Sequence, residues 1–121
     1  MIIDPLAPES DAKYELYNRI ECARDPSHTL TLRLTTFLEM FENLGIEITR
    51  QSLKRRERSF NDWMRRAGLE STHQRYIEAR RLLVESIPGD RAGFSPQLLG
   101  DDLTIIHNEG MFLLTRRSEP E

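Results

Sequence analysis

A single cysteine, Cys22, stands in the whole chain. One thiol excludes an intramolecular disulfide framework, and with no C-x-x-C or paired Cys/His spacing there is no pattern for a structural zinc site. Long apolar runs are missing as well. No run approaches the roughly 18 residues of a membrane span, and no basic-then-apolar signal pattern opens the sequence. Lysine is scarce: Lys13 and Lys54 are the only two among seventeen basic residues, a ratio that GC-rich coding produces without selection for phosphate contact. Glycine occurs only as isolated punctuation (Gly45, Gly68, Gly89, Gly93, Gly100, Gly110), so there is no glycine-rich phosphate loop. These absences predict a soluble, cytoplasmic bacterial domain with no membrane partner, no metal and no cofactor.

What is present is one domain's worth of chain. With 121 residues, 38% of them apolar, a core can bury roughly two thirds of the unfolded surface without staples. The net charge of −3 hides a segregation: residues 50–81 hold ten bases against four acids, inside a chain that is otherwise acidic. A basic block of this kind is a candidate anion-binding surface.

Apolar spacing and cap residues predict a mainly α domain: four helices with a C-terminal β-hairpin. Residues 1–9, with Pro5 and Pro8, read as an extended lead-in, residues 10–116 as a single α-rich domain, and residues 117–121 as a frayed tail. Ser10 caps a first helix that carries Ala12, Leu16, Ile20 and Ala23 and stops at Asp25-Pro26-Ser27. A second helix begins near 29–31, with Leu30, Leu34, Phe37, Leu38, Phe41 and Leu44 as its stripe and Gly45 past its end. This strongest amphipathic pattern predicts the central core helix.

Ile46-Glu47-Ile48 alternates like a very short strand. Thr49 then caps a third helix over 50–67, whose apolar arc is Leu53, Phe60, Met64 and Ala67, with Ser59 a point where it could break in two. Gly68-Leu69 closes it, and Ser71-x-x-Gln74 reads as a capping box for a fourth helix that bears Tyr76, Ile77, Leu83, Val84 and Ile87. Arg80 falls inside that apolar arc, which predicts a structural ion pair with an acid of the first two helices. Residues 103–107 and 111–116 flank Asn108-Glu109-Gly110 as a hairpin, both strands apolar on both faces. Such faces need cover, either from the first helix or from a homodimer or protein partner docking through 103–116.

Two functions compete on these grounds. The first is a small bacterial nucleic-acid-binding regulator acting by occupancy, with DNA as its candidate partner. Lys54, Arg55, Arg58, Arg65 and Arg66 would contact phosphates, and Thr72, Gln74 and Arg75 at the start of the next helix would read bases. The helix–turn–helix shape around Gly68-Leu69 and the element order are those of a winged helix. The second is a protein-binding adaptor or inhibitor from a phage or mobile element, docking through acidic surfaces or the apolar hairpin. The three histidines (His28, His73, His107) and Cys22 are dispersed along the sequence, so no catalytic spacing is evident and the chain is expected not to be an enzyme.

Overall fold

The computed structural model describes residues 1–116; the predicted frayed tail at 117–121 lies outside the described residues. Four helices are present, together with a C-terminal two-strand hairpin, but the architecture is mixed α/β rather than mainly α. The element order is β1 (Ile2–Leu6), α1 (Asp11–Arg24), α2 (Leu34–Asn43), β2 (Ile46–Ser59), α3 (Phe60–Arg66), α4 (Gln74–Glu85), β3 (Gln97–Leu99) and β4 (Asp102–Arg116). Among the described residues no helix is long and apolar enough to cross a membrane.

The strands form one antiparallel sheet, ordered β1-β4-β2. The short β3 pairs with the start of β4 through Gly100-Asp101, on the edge that β1 takes further along. The C-terminal hairpin is thus β3–β4, and the turn predicted within 103–116 does not exist. Asn108-Glu109-Gly110 runs straight through the middle of β4, paired with Leu6-Pro5-Asp4 on one side and Arg55-Lys54-Leu53 on the other. Gly110 is needed for closeness rather than for a turn: a Cβ there would lie 2.8 Å from the Phe112 ring and 3.1 Å from Leu6.

The apolar character of both faces has a geometrical cause. Successive residues of a strand point to opposite faces, and β4 changes its covered face midway. Leu103, Ile105 and His107 are buried on one face against α1, α3 and α4, where Tyr17, Phe60, Trp63, Met64, Leu83 and Phe94 form the larger core. From Gly110 onward the other face is covered: Phe112 meets Phe37 and Phe41 of α2, with Leu6 beside them. The second helix, expected to be central, therefore anchors the smaller cluster, and it starts only at Leu34, which leaves Leu30 exposed.

The third predicted helix is overturned over most of its length. Residues 50–59 continue the short strand at 46–48 as β2, with a bulge between Ile48 and Arg50, and only Phe60–Arg66 is helical. Ser59 is the N-cap, its hydroxyl accepting from the Asp62 N–H at 3.4 Å. The α3 stop matches its prediction. Gly68 takes a left-handed φ of 75°, Gly68 N–H donates to Arg65 O, and Leu69 N–H donates to Met64 O while its side chain is buried. The fourth helix begins at Gln74 with His73 as its cap, not Ser71. Its buried residues are Tyr76, Ala79, Leu82 and Leu83, so Ile77 faces out. Arg80 is half-buried and makes no ion pair among the described residues.

Candidate functional site

Where β4 crosses from one covered face to the other, a polar pocket of about 270 Å³ opens between the ends of α1 and α3 and the sheet. Its lower wall is a buried carboxylate and a buried imidazole: Glu21 is 6% exposed and His107 is 5% exposed. His107 Nε2 lies 3.8 Å from Glu21 Oε1, too long for a direct hydrogen bond, and Nδ1 has no partner among the described residues. The imidazole ring is fixed edge-on to Trp63 and Phe94, with centroids 5.3 and 5.6 Å away. Tyr17, one helical turn before Glu21, stacks on Phe94 at 4.2 Å. Burial, and then the Glu21 carboxylate, push the Tyr17 phenol far above its ordinary range.

Arginines form the rim. Arg24, at the last turn of α1, donates from Nε and a terminal nitrogen to the Trp63 carbonyl at 3.0 and 2.9 Å and lies over the Trp63 ring. It satisfies a carbonyl that the short α3 leaves open. Burial lowers its pKa; Glu21 and Asp25 oppose that, while the positive charges of Arg58 and Arg66 reinforce it. On β2, Arg56 and Arg58 share one oxygen of Glu109, at 3.3 and 3.5 Å. The side chain of Arg66 lines the pocket, exposed and without a hydrogen bond or ion pair among the described residues.

The α1–α2 connection closes the last side. Asp25 accepts from the N–H and hydroxyl of Ser27 and holds the turn, which lowers the Asp25 pKa. Asn18, buried on α1, accepts from Thr31 N–H at 2.7 Å and donates to Thr31 O. Thr31 Oγ1 in turn lies 3.1 Å from His28 Nε2, so Asn18 indirectly places His28 at the pocket. Among the described residues no three of His, Cys, Asp and Glu gather to hold a metal ion.

The predicted phosphate-contact residues are distributed by strand alternation, not by a helix wheel. Opposite residues of antiparallel strands share a face. Lys54, Arg56 and Arg58 pair with Glu109, His107 and Ile105 and so stand on the face of the pocket, while Arg55, opposite Asn108, stands on the other. Arg58 and Arg66 are brought together at the pocket, and Arg65 is tied to Asp62 at 2.9 Å. Thr72 is exposed on the α3–α4 connection, and Gln74 and Arg75 line a different depression, beside Cys22 and Ile77. Sequence spacing missed Glu21, Arg24, His28, Trp63, His107 and Glu109 as a set, because they come from four separate segments.

No family model matches the chain, and no curated protein matches it. Solved structures do share its fold. A "putative methyltransferase" from Bacillus halodurans C-125 superimposes over 96% of this chain with a TM-score of 0.84 and 20% identity. The YcgJ protein from Bacillus subtilis does so over 97% with a TM-score of 0.79 and 20% identity. The chain spans about half the length of both, 54% of the first and 50% of the second. The first likeness overturns the expectation that the chain is not an enzyme, since the fold is one that a protein bearing a methyltransferase name also has.

Proposed function

We propose that the chain carries the acceptor-side half of a methyltransferase, a pocket that binds the molecule to be methylated and takes up its proton. The observation that carries this reading is the buried Glu21–His107 pair at 3.8 Å, set in a polar pocket within the half of the fold that the chain shares. His107 offers an imidazole nitrogen to a departing proton, and Glu21 supplies the negative charge that steadies an imidazolium. Trp63 and Phe94 hold the ring in one orientation. The chain's own residues do not fit a methyl donor: its six glycines are dispersed, and no glycine-rich turn joins a strand to a helix as a nucleotide cradle does. The donor therefore belongs to a second unit. The outer edge of β1, unpaired among the described residues, and the exposed Ile3, Met111 and Leu113 beside it offer that unit a place to pack.

The test is methyl transfer from tritiated S-adenosylmethionine into the small-molecule fraction of a host-cell extract, catalysed by the protein in its natural full extent. Labelled product that disappears with His107→Ala is expected. Absence of both labelled product and donor binding overturns the reading.

A second reading, occupancy of nucleic acid, is supported by the exposed Arg50, Lys54 and Arg56 on one face of β2, with the exposed Arg55 on the other. A winged-helix shape, with a helix–turn–helix around Gly68-Leu69, and a DNA or homodimer partner belong to this reading. Anisotropy with mixed-sequence duplex DNA between about 50 and 200 mM salt tests it. Binding that falls steeply with salt supports it, and no binding at the low end overturns it.

A further inference from the structure

We infer that the pocket takes a small oxyanion, a phosphate or carboxylate group of the acceptor molecule, between Arg58 and Arg66 with His107 beneath. This rests on the acceptor-side reading above and adds the substrate class to it. Three guanidinium groups, Arg24, Arg58 and Arg66, line the cavity against two carboxylates, Glu21 and Glu109, and the commitments of these groups differ. Arg24 is spent on the Trp63 carbonyl and ring. Arg58 reaches Glu109 only at 3.5 Å, and it shares that oxygen with Arg56. Arg66 has no partner among the described residues.

A surplus of like charge around a concave, partly dry site is unfavourable until an anion enters, and guanidinium forks bind planar or tetrahedral oxyanions through two hydrogen bonds at once. A separate observation points the same way. His107 lines the cavity, is 95% removed from solvent by its 5% exposure, and keeps an unpartnered Nδ1. A buried polar atom without a partner carries a penalty that a bound ligand group removes. The neighbouring depression, also about 270 Å³, shares Arg58, Trp63 and Arg66 and adds Arg56, against the acids Glu57 and Asp62, the latter already paired with Arg65, so the positive surplus continues outward from the pocket.

Trp63 is the chain's single tryptophan and forms the pocket wall, so its fluorescence reports directly on occupancy. The experiment titrates inorganic phosphate, and separately benzoate, into the protein at constant ionic strength held with chloride. A saturable change in Trp63 emission is expected for at least one of the two, and which one saturates distinguishes phosphate from carboxylate. Arg66→Ala, at an exposed position that leaves the core untouched, is expected to weaken that binding by about tenfold or more. Lys54→Ala, on the same sheet face but outside the pocket, is expected to leave it unchanged. A response that tracks chloride, or an affinity unaltered by Arg66→Ala, overturns the proposal. Saturable phosphate or benzoate binding with neither methyl transfer nor donor binding retains the anion site and removes the methyltransferase reading. Methyl transfer by a protein that binds neither anion does the reverse.

Discussion

The imidazole of His107 and the carboxylate of Glu21 face each other across 3.8 Å, both buried and not hydrogen-bonded to one another. A residue kept for stability alone would close such a gap or be apolar, because an unmade buried hydrogen bond costs about 1–3 kcal/mol. Phenylalanine at position 107 keeps a ring between Trp63 and Phe94 and removes the orphaned Nδ1. His107→Phe is therefore expected to hold its unfolding free energy within about 1 kcal/mol of the parent, or to gain, in urea denaturation. The same variant is expected to lose methyl transfer. A loss of several kcal/mol would show that the imidazole is a structural partner and not a functional one.

Tyr17 predicts an alkaline weakness. Its phenol is held protonated in the folded state, by burial first and by Glu21 second, whereas in the unfolded chain a tyrosine ionises at about pH 10. Above that pH the unfolded state binds fewer protons than the native one, so stability falls as pH rises. The contribution is fully present below about pH 10 and declines by up to about 1.4 kcal/mol per pH unit above it. Urea midpoints of parent and Tyr17→Phe, compared from about pH 8 to about pH 11, isolate the effect. The two curves should run parallel below pH 10 and the parent should fall away above it. Parallel curves throughout would mean that Tyr17 ionises in the native state.

Local signals were legible where the chain terminates its own elements. Gly45 after α2 and Gly68 with Leu69 after α3 occupy the places that their chemistry predicts, and Ser10 stands at the N-cap of α1, although its hydroxyl makes no cap hydrogen bond. The failure lies at residues 50–58. This stretch is rich in Arg, Gln, Lys and Glu, good helix formers, and it has one apolar residue, Leu53. Beyond the bulge after Ile48 every residue of β2 up to Glu57 is exposed, and Arg58 alone is half-buried, so no alternation marks the stretch as a strand. Pairing with β4 decides its conformation, and pairing is not written in the local sequence. The same long-range pairing hid the straight path of β4: Asn108-Glu109-Gly110 read as a turn between two short strands, when one strand runs through it and serves two cores. The pocket was illegible for a related reason. Glu21, His28, Trp63 and His107 meet only after α1, α3 and β4 are packed.

Gly110 offers a test of that shared strand. Any Cβ at this position meets the Phe112 ring at 2.8 Å and Leu6 at 3.1 Å, where β1, β2 and β4 are all in register. Phe112 is held in turn by Phe37 and Phe41, which restricts its escape. Gly110→Ala is expected to destabilise by about 1–3 kcal/mol through overpacking, measured by thermal or urea unfolding. A second substitution, Phe112→Leu, should recover part of that loss by freeing the space. If Gly110→Ala is neutral, the Phe112 ring and the Leu6 side chain are free to move out of the space beside position 110.

Asn18 connects the core to the pocket without lining it. Its side chain holds Thr31 at both the N–H and the carbonyl, and Thr31 holds His28. Asn18→Ala leaves the buried Thr31 N–H without its acceptor, at a cost of about 1–3 kcal/mol. The loss should be local as well as global, because the segment between α1 and α2 has no regular secondary structure of its own until Arg33 bridges to Ala7. Hydrogen exchange at the Thr31 amide is expected to accelerate about tenfold or more, while amides at the centre of β4 keep their protection. Unchanged protection at Thr31 would show that the backbone, and not Asn18, fixes this side of the pocket.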